Sequence, residues 1–197
     1  MINPQLVSQS PPSEQQIILH GVTWQQYESL LNILGEDFPT LRLNYLQGTL
    51  EIMTNSPEHE AFKKMIAMLI EAYLQEKGIR FYAGGSTTFR QGEQLRGLEP
   101  DECYYLGEEK PFPDLAVEVV ITSTLLNKLE IYQGLGVQEV WLWQQEQFSI
   151  YHLRSRGYEQ ISSSELLPDL DINLLARSVK PKEQFDAIMA FRQAIRE

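Results

Sequence analysis

The sequence Pro113-Asp114-Leu115-Ala116-Val117-Glu118-Val119-Val120-Ile121 is the most apolar strand-like segment of the chain. Its centre holds almost no polar residues, which is typical of a strand that is buried on both faces of a sheet. We therefore expect this segment to lie in the middle of the fold and to be covered on both sides by helices or by further strands.

A helix and a second strand follow this segment. Thr122 or Ser123 can cap a helix of about Thr124 to Leu135, and Gly136 can end it. Val137 to Trp143 has the pattern of the next strand. A strand, a helix and a strand in this order predict a right-handed parallel crossover within one sheet.

The rest of the chain supplies further strands and helices around this unit. The predicted helices are Thr23 to Leu34 (ended by Gly35), Pro57 to Lys77, and two C-terminal helices that start at about Asp171 and Lys182. The predicted strands are a hairpin over Leu41 to Met53, the segments Ile79 to Ala83, Thr87 to Arg90 and Pro100 to Leu106, and a second hairpin over Phe148 to Leu153 and Tyr158 to Ser162. This order predicts an α/β (α+β) fold, in which a mixed central β-sheet is flanked by helices.

Length and composition fit one domain. The chain has 197 residues, and we expect residues 1–16 to form a flexible arm and residues 17–197 to form a single domain. No run approaches the roughly 18 apolar residues of a membrane span. Because the N-terminus also lacks the pattern of a secretory signal, we expect a cytoplasmic protein. The single cysteine, Cys103, excludes an internal disulfide and a multi-cysteine zinc site.

The formal net charge is −11, from 27 acidic and 16 basic residues. This balance argues against a non-specific nucleic-acid binder, because the phosphate backbone attracts clustered lysine and arginine. It does not exclude a nuclease, which can concentrate acidic residues where metal ions bind and reverse the local field.

Glu118 is the first candidate for chemistry, because a carboxylate in so apolar a strand is costly to bury unless it is paired or bound to a metal. Side chains alternate along a strand, so Glu118 shares a face with Asp114, Ala116 and Val120. The alternative is that Glu118 lies near an exposed strand end or pairs with a structural arginine. The strongly apolar run disfavours that alternative.

Lys128 follows Glu118 by ten residues. If the helix starts near Thr124, Lys128 lies just over one turn into it, and helical side chains lean toward the N-terminus. Its ammonium group would then reach back toward the end of the Glu118 strand. Taken alone, Lys128 is more simply interpreted as a surface lysine on an amphipathic helix.

Asp101 follows a proline at the start of the strand before Glu118. An aspartate in this position is often a turn residue, which is the simpler interpretation of Asp101 alone. A second Pro-Asp pair, at Asp114, competes for the same role, although its position is more typical of the start of a strand. The pattern leaves both aspartates open.

The long helix beginning at Pro57 carries acidic residues and a histidine in its first turn. Glu58 and Glu60 suit the helix dipole, and a helix N-terminus can also bind a phosphate group. The simple capping interpretation fits Glu58, while His59 and Glu60 remain open. Glu51, on the early hairpin, is a further acidic candidate.

Several ordered blocks together resemble one family. They are Arg42-Leu43-Asn44-Tyr45-Leu46-Gln47-Gly48-Thr49-Leu50-Glu51-Ile52-Met53, Ser56-Pro57-Glu58-His59-Glu60, Gly85-Ser86-Thr87-Thr88-Phe89-Arg90, Glu99-Pro100-Asp101-Glu102-Cys103-Tyr104-Tyr105, Pro113-Asp114-Leu115-Ala116-Val117-Glu118-Val119, Lys128-Leu129-Glu130-Ile131-Tyr132 and Gly136-Val137-Gln138-Glu139-Val140-Trp141. The chain resembles the Uma family of putative restriction endonucleases over about Gly21 to Leu153. That family is placed in the PD-(D/E)XK nuclease superfamily.

The resemblance implies a restriction-endonuclease-like core with an N-terminal hairpin and C-terminal helices. It assigns the first acidic position of the superfamily to Asp101 and the second to Glu118. Val120 stands where the superfamily has its lysine. The resemblance implies a variant in which that lysine has moved to the following helix, at Lys128, and it assigns a helix-borne acidic position to Glu60.

The resemblance further implies a metal-dependent endonuclease that cuts DNA as a homodimer. Asp101, Glu118 and the backbone carbonyl of Val119 would hold Mg²⁺, for which Mn²⁺ can substitute, and Lys128 would stabilise the reacting charge. One alternative is a binding or interaction module that kept the fold and lost catalysis. Another is a structural protein in which an arginine such as Arg90 holds Glu118.

Overall fold

The computed structural model describes residues 14–34, 38, 40–122 and 126–197. Within those ranges the helices are α1 (Trp24–Leu34), α2 (Pro57–Glu76), α3 (Lys128–Leu135), α4 (Ile172–Ser178) and α5 (Gln184–Ala194). The strands are β1 (Gln16–His20), β2 (Leu41–Leu46), β3 (Thr49–Thr54), β4 (Phe81–Ala83), β5 (Phe89–Gln91), β6 (Arg96–Leu98), β7 (Glu102–Leu106), β8 (Leu115–Val119), β9 (Glu139–Gln144), β10 (Gln147–Arg154) and β11 (Gly157–Ile161). Of the helices in these ranges, none has the length and apolar character needed to cross a membrane.

The larger sheet has the strand order β11-β10-β9-β8-β7-β4. The apolar strand β8 lies inside it, parallel to β9 and antiparallel to β7, while the remaining neighbours are antiparallel. The predicted mixed central sheet is therefore confirmed, with α3 connecting its one parallel pair among the described strands. All five residues of β8 are buried, as its composition predicts.

A second, antiparallel sheet has the order β1-β3-β2-β6-β5. Its β2–β3 pair is the predicted N-terminal hairpin, which turns at Gln47 and Gly48, both with positive φ. Two of its strands were not predicted. Strand β1 pairs with β3 along its whole length and starts at Gln16, a residue that the sequence predicts to belong to the arm. Strand β6 lies between the predicted strands Thr87 to Arg90 and Pro100 to Leu106, where the sequence analysis predicts no strand.

Helix α2 covers one face of the central sheet. Ser56 caps it by accepting a hydrogen bond from the backbone N–H of His59 at 3.1 Å, and Pro57 is its first residue. The predicted apolar face is confirmed, since Met65, Ile66, Leu69, Tyr73 and Leu74 are buried and Phe62 packs against the same core. Each fully buried side chain of this size contributes about 1.5–3 kcal/mol.

Helix α3 and the second sheet cover the opposite face of β8. Ala116 packs there with Ile131 and Tyr132 of α3, together with Phe89 and Leu98 of the second sheet. Strand β8 is thus enclosed from both sides, and a polar side chain on its α3 face lies between the two sheets.

Helix α3 starts later than the sequence predicted. It begins at Lys128, and the side chain of Asn127 accepts a hydrogen bond from Glu130 N at 3.4 Å. Asparagine is a strong N-cap, and this one sets the observed start. The predicted cap at Ser123 and the predicted start at Thr124 lie outside the described residues, as do Gly35 and residues 1–13 of the arm.

Candidate active site

Asp101 and Glu118 meet at one end of the central sheet. Asp101 precedes β7 and Glu118 is the fourth residue of β8; because the two strands are antiparallel neighbours, the start of one lies beside the end of the other. Asp101 Oδ2 accepts a hydrogen bond from Val119 N at 2.8 Å. Asp101 is 4% exposed and Glu118 is 1% exposed, so both carboxyl groups need partners.

Lys128 is the cationic partner of Glu118. Its Nζ lies 2.6 Å from Glu118 Oε2, and its side chain is only 12% exposed. The interpretation of Lys128 as a surface residue is therefore wrong, although the lysine is the first residue of its helix rather than one turn in. The alternative that Arg90 holds Glu118 is also wrong, since Arg90 Nη1 lies 3.9 Å from Glu28 Oε1 instead.

Tyr132 supplies the second hydrogen bond to Glu118 and was not predicted as a site residue. Its hydroxyl donates to Oε1, so each oxygen of Glu118 has a donor. Lys128 and Tyr132 are four residues apart and therefore lie on one face of α3. That spacing after a candidate lysine is the signal in the sequence that could have identified Tyr132.

His59 is the partner of Asp101 on the opposite side. Its Nε2 lies 3.1 Å from Asp101 Oδ2, and the residue is 2% exposed. The other ring nitrogen, Nδ1, is 3.8 Å from Glu60 Oε1, which is too far for a hydrogen bond. Burial opposes the imidazolium, but the neighbouring carboxylates, Asp101 first among them, together outweigh it, and the pKa of His59 is raised to about 9.

Glu60 does not touch Asp101 within the described contacts. It accepts a hydrogen bond from Asn55 Nδ2 at 2.9 Å, pairs with Lys63 Nζ at 3.2 Å, and has a side chain that is 45% exposed. His59 and these two donors lower its pKa. The helix position nearest to Asp101 is thus a histidine, and Glu60 lies beyond it.

Asp101 is ionised in this environment. Burial would raise the pKa of Asp101, but His59, Lys128 and the N–H of Val119 stabilise its charged form, and the net direction is downward. A carboxylate that stays charged while buried can bind a cation without first losing a proton.

Glu118 and Lys128 form a buried ion pair. Burial raises the pKa of Glu118, and the nearby charge of Asp101 adds to that effect, while Lys128 and Tyr132 oppose it. Burial would lower the pKa of Lys128, but Glu118 and Asp101 outweigh it and the pKa is raised. Lys128 is therefore an ammonium ion at neutral pH, able to donate hydrogen bonds but not to accept a proton.

Glu51 places a further carboxylate behind this pair. It is fully buried and accepts hydrogen bonds from Asn44 Nδ2 at 2.9 Å and from Leu126 N at 3.3 Å. Its charge contributes to the raised pKa of Lys128. Glu51 thus ties the second sheet to the segment that leads into α3.

Asp114, the second Pro-Asp aspartate, lies away from these groups. Its carboxylate accepts hydrogen bonds from Leu106 N at 2.7 Å and from Lys110 Nζ at 2.7 Å. These contacts hold the start of β8 against β7, so the strand-start interpretation of Asp114 is confirmed.

The site opens into a cavity of about 290 Å³. Glu118 and Lys128 line it together with Val120, Leu126, Asn127, Leu129 and Leu142. The cavity thus combines the Glu118–Lys128 ion pair with mainly apolar walls.

The carboxylate oxygens of the site are of the type that hard cations prefer. Among the residues that the structure describes, no group of three or more His, Cys, Asp or Glu side chains is arranged to hold a metal. Mg²⁺ prefers oxygen ligands and usually keeps several waters, so one or two carboxylates are a sufficient protein contribution. Asp101 and Glu118 supply such oxygens, and Val119 lies at the end of the same strand.

A comparison with known families identifies a relationship over most of the chain. The family model described as Uma2, putative restriction endonuclease, matches residues 24–179. The matched range includes α1 through α4 and every site residue described above. Among curated proteins, none matches the chain significantly.

Proposed function

The chain belongs to the Uma2 family of putative restriction endonucleases, and from this premise we propose that it is a metal-dependent endonuclease that hydrolyses DNA phosphodiester bonds. The observation that carries the proposal is the 2.6 Å contact between Lys128 Nζ and Glu118 Oε2, beside the ionised Asp101. A lysine from a separate helix is thereby paired with one of two buried carboxylates at the end of the central sheet.

Asp101 and Glu118, with the backbone carbonyl of Val119, are the proposed holders of Mg²⁺ or Mn²⁺. When bound, such an ion activates a water molecule and stabilises the charge on the leaving oxygen. His59 fixes the position of Asp101 through its 3.1 Å contact and favours the charged form of that carboxylate. Glu60, one residue further along α2, is proposed to support the surrounding water shell.

Lys128 is proposed to stabilise the transition state. Because its pKa is raised, the side chain is a hydrogen-bond donor and a positive charge rather than a general base. The ammonium group is already in place when negative charge develops on the phosphate, so the surrounding groups need not reorganise. A fixed charge in a largely buried site therefore stabilises the transition state strongly. Tyr132 holds Glu118 from the other side and keeps the carboxylate aimed at the cavity.

Two copies of the chain are proposed to act together, because cutting both strands of a duplex at one place requires two such sites. Sedimentation analysis of the purified protein tests this, with a homodimer as the expected species. A monomer that still makes double-strand cuts would contradict the proposal.

A binding module without catalysis is the second candidate. It is favoured by the engagement of both Glu118 oxygens, which already accept hydrogen bonds from Lys128 and Tyr132. The net charge of −11 also favours a role other than general DNA binding. In this case the acidic pair and its lysine would serve stability alone.

The test is a cleavage assay on supercoiled, linear and single-stranded DNA with Mg²⁺, Mn²⁺ or EDTA. We expect metal-dependent nicking by the wild type and its loss in Lys128→Met, by about 10²–10³-fold if the lysine acts on the developing charge. Lys110→Met is the matched control, because it removes the same charge from a 2.7 Å lysine–carboxylate pair outside the site.

Thermal melting completes the test by showing that each variant is folded. Metal-dependent nicking by wild type and Lys110→Met, but not by folded Lys128→Met, supports the endonuclease. The absence of cutting by wild type on every substrate, together with no rise in melting temperature on adding Mg²⁺, would support the binding module instead.

A further inference from the structure

A second polar cavity lies close to the acidic site, between α1, β2 and β5. Its volume is about 400 Å³, which is within the range of small-ligand sites. Its polar lining consists of the side chains of Asn32, Arg42, Ser86, Thr88, Arg90 and Glu99. The cavity therefore presents hydroxyl, amide and guanidinium groups and one carboxylate, and the proposed chemistry assigns it no role.

Two arginines and one glutamate line this cavity, so its charged side chains sum to +1 in a chain whose net charge is −11. Arg42 Nη1 pairs with Glu99 Oε1 at 3.3 Å, and its side chain is 9% exposed. Arg90 is 45% exposed, and its 3.9 Å contact with Glu28 is too long for a hydrogen bond. A surface contact of this kind contributes little, so the Arg90 guanidinium can bind an anion at small cost.

The wall of the cavity is continuous with the acidic site. Ser86 Oγ donates to the main-chain oxygen of Asp101 at 3.2 Å and accepts from Lys63 Nζ at 2.9 Å. Glu99 is two residues before Asp101, and two residues of chain span at most about 7 Å. Successive phosphates of one DNA strand rise by about 3.4 Å along the helix axis. The wall of the cavity at Glu99 therefore lies within about two nucleotides of Asp101.

We propose that this cavity binds a backbone phosphate of the DNA strand, about one or two nucleotides from the bond that is cut. Arg90 makes the direct contact, since its planar guanidinium suits two phosphate oxygens. Backbone contacts fix the register of the DNA without reading its sequence. This inference rests on the proposed function and adds a positioning subsite to it.

Arg90→Gln tests the subsite, with binding of a fluorescent duplex measured by anisotropy in EDTA over a series of KCl concentrations. Loss of one phosphate contact is expected to weaken binding by about eightfold at 0.1 M salt and to lower the slope of log K against log salt by about 0.9. The loss is expected to be equal for duplexes of different sequence. Arg90→Lys retains the charge and should restore most of the slope.

Arg154→Gln is the matched control, because Arg154 is an exposed arginine that pairs with Glu159 and Glu165 on the β10 side of the molecule. Equal affinity and slope for Arg90→Gln and Arg154→Gln, in a wild-type protein that cuts DNA, would overturn the subsite and leave the endonuclease standing. Weaker binding by Arg90→Gln alone, in a protein that never cuts, would support the subsite and overturn the endonuclease. A wild type that neither binds nor cuts DNA overturns both.

Discussion

Tyr132→Phe removes one hydroxyl group from the buried acidic site and leaves the ring in place. That hydroxyl donates to Glu118 Oε1, and both residues are almost completely buried. The substitution creates no significant cavity, because phenylalanine retains the ring that packs with Ala116 and Ile131. The change therefore isolates one hydrogen bond to a buried carboxyl group.

The size of the effect follows from the acceptor. A hydrogen bond to a charged group contributes about 1.5–3 kcal/mol, whereas a bond between neutral groups contributes about 0.5–1.5 kcal/mol. Lys128 balances the charge on Glu118, so the acceptor of the Tyr132 hydroxyl is a charged group. We therefore expect Tyr132→Phe to lower the free energy of unfolding by the larger of these two amounts. Because the hydroxyl favours the ionised form, its loss also raises the pKa of Glu118 further.

Tyr158→Phe provides the comparison within the same protein. The Tyr158 hydroxyl donates at 2.5 Å to the main-chain oxygen of Val137, which is a neutral acceptor. Urea unfolding at neutral pH gives the free energy of each variant, and equal m-values show that the same surface is exposed. Tyr132→Phe is expected to cost about 1 kcal/mol more than Tyr158→Phe. An equal or smaller cost would refute the view that Glu118 is held as an ion by its two donors.

Three further predictions concern stability. Glu139→Ala should lower the free energy of unfolding by more than about 3 kcal/mol. Glu139 is fully buried, and its removal would leave several hydrogen-bond donors unsatisfied, among them Trp141 Nε1 and Ser164 Oγ. Denaturant unfolding measures this loss, and a loss below about 1 kcal/mol would contradict the prediction. Gly97→Ala should cost about 1–3 kcal/mol by overpacking, because an added Cβ would lie 2.8 Å from a ring carbon of Tyr27; an unchanged melting temperature would show that the ring moves freely. Two arginines of the C-terminal region lower the pKa of Glu76 to about 2, so the stabilisation that Glu76 provides should be complete above about pH 4.5 and be lost as the pH falls toward 2. The difference in melting temperature between wild type and Glu76→Gln should shrink over that interval, and a constant difference would refute the assignment.

Local patterns in the sequence predicted the central part of the fold correctly. The unbroken apolar run around Glu118 identified the innermost strand, since only a doubly covered strand gains from such a composition. Ser56 and Pro57 identified the start of α2, because a cap and a first-turn proline act on neighbouring backbone groups. Signals of this kind depend on residues that are close in the chain.

Contacts between distant residues could not be predicted in the same way. His59 reaches Asp101 across 42 positions, and nothing near either residue distinguishes this histidine from Glu60 beside it. Strand β6 has only three residues, and it is stabilised by its neighbours β2 and β5 rather than by its own composition. The sequence predicted a start for helix α3 that is too early, because hydroxyl residues near Thr122 and the amide of Asn127 are both suitable caps.

The hydrogen bond from Val119 N to Asp101 Oδ2 gives the site an intrinsic spectroscopic probe. A strand amide normally donates its hydrogen bond to a backbone carbonyl, but the Val119 amide donates to a side-chain carboxylate. The chemical shift of the Val119 amide proton therefore depends on the charge that Asp101 carries. Titrating isotopically labelled protein with a divalent cation would follow that resonance directly, without DNA and without turnover. Occupancy of the carboxylates can therefore be measured separately from any chemistry that they support.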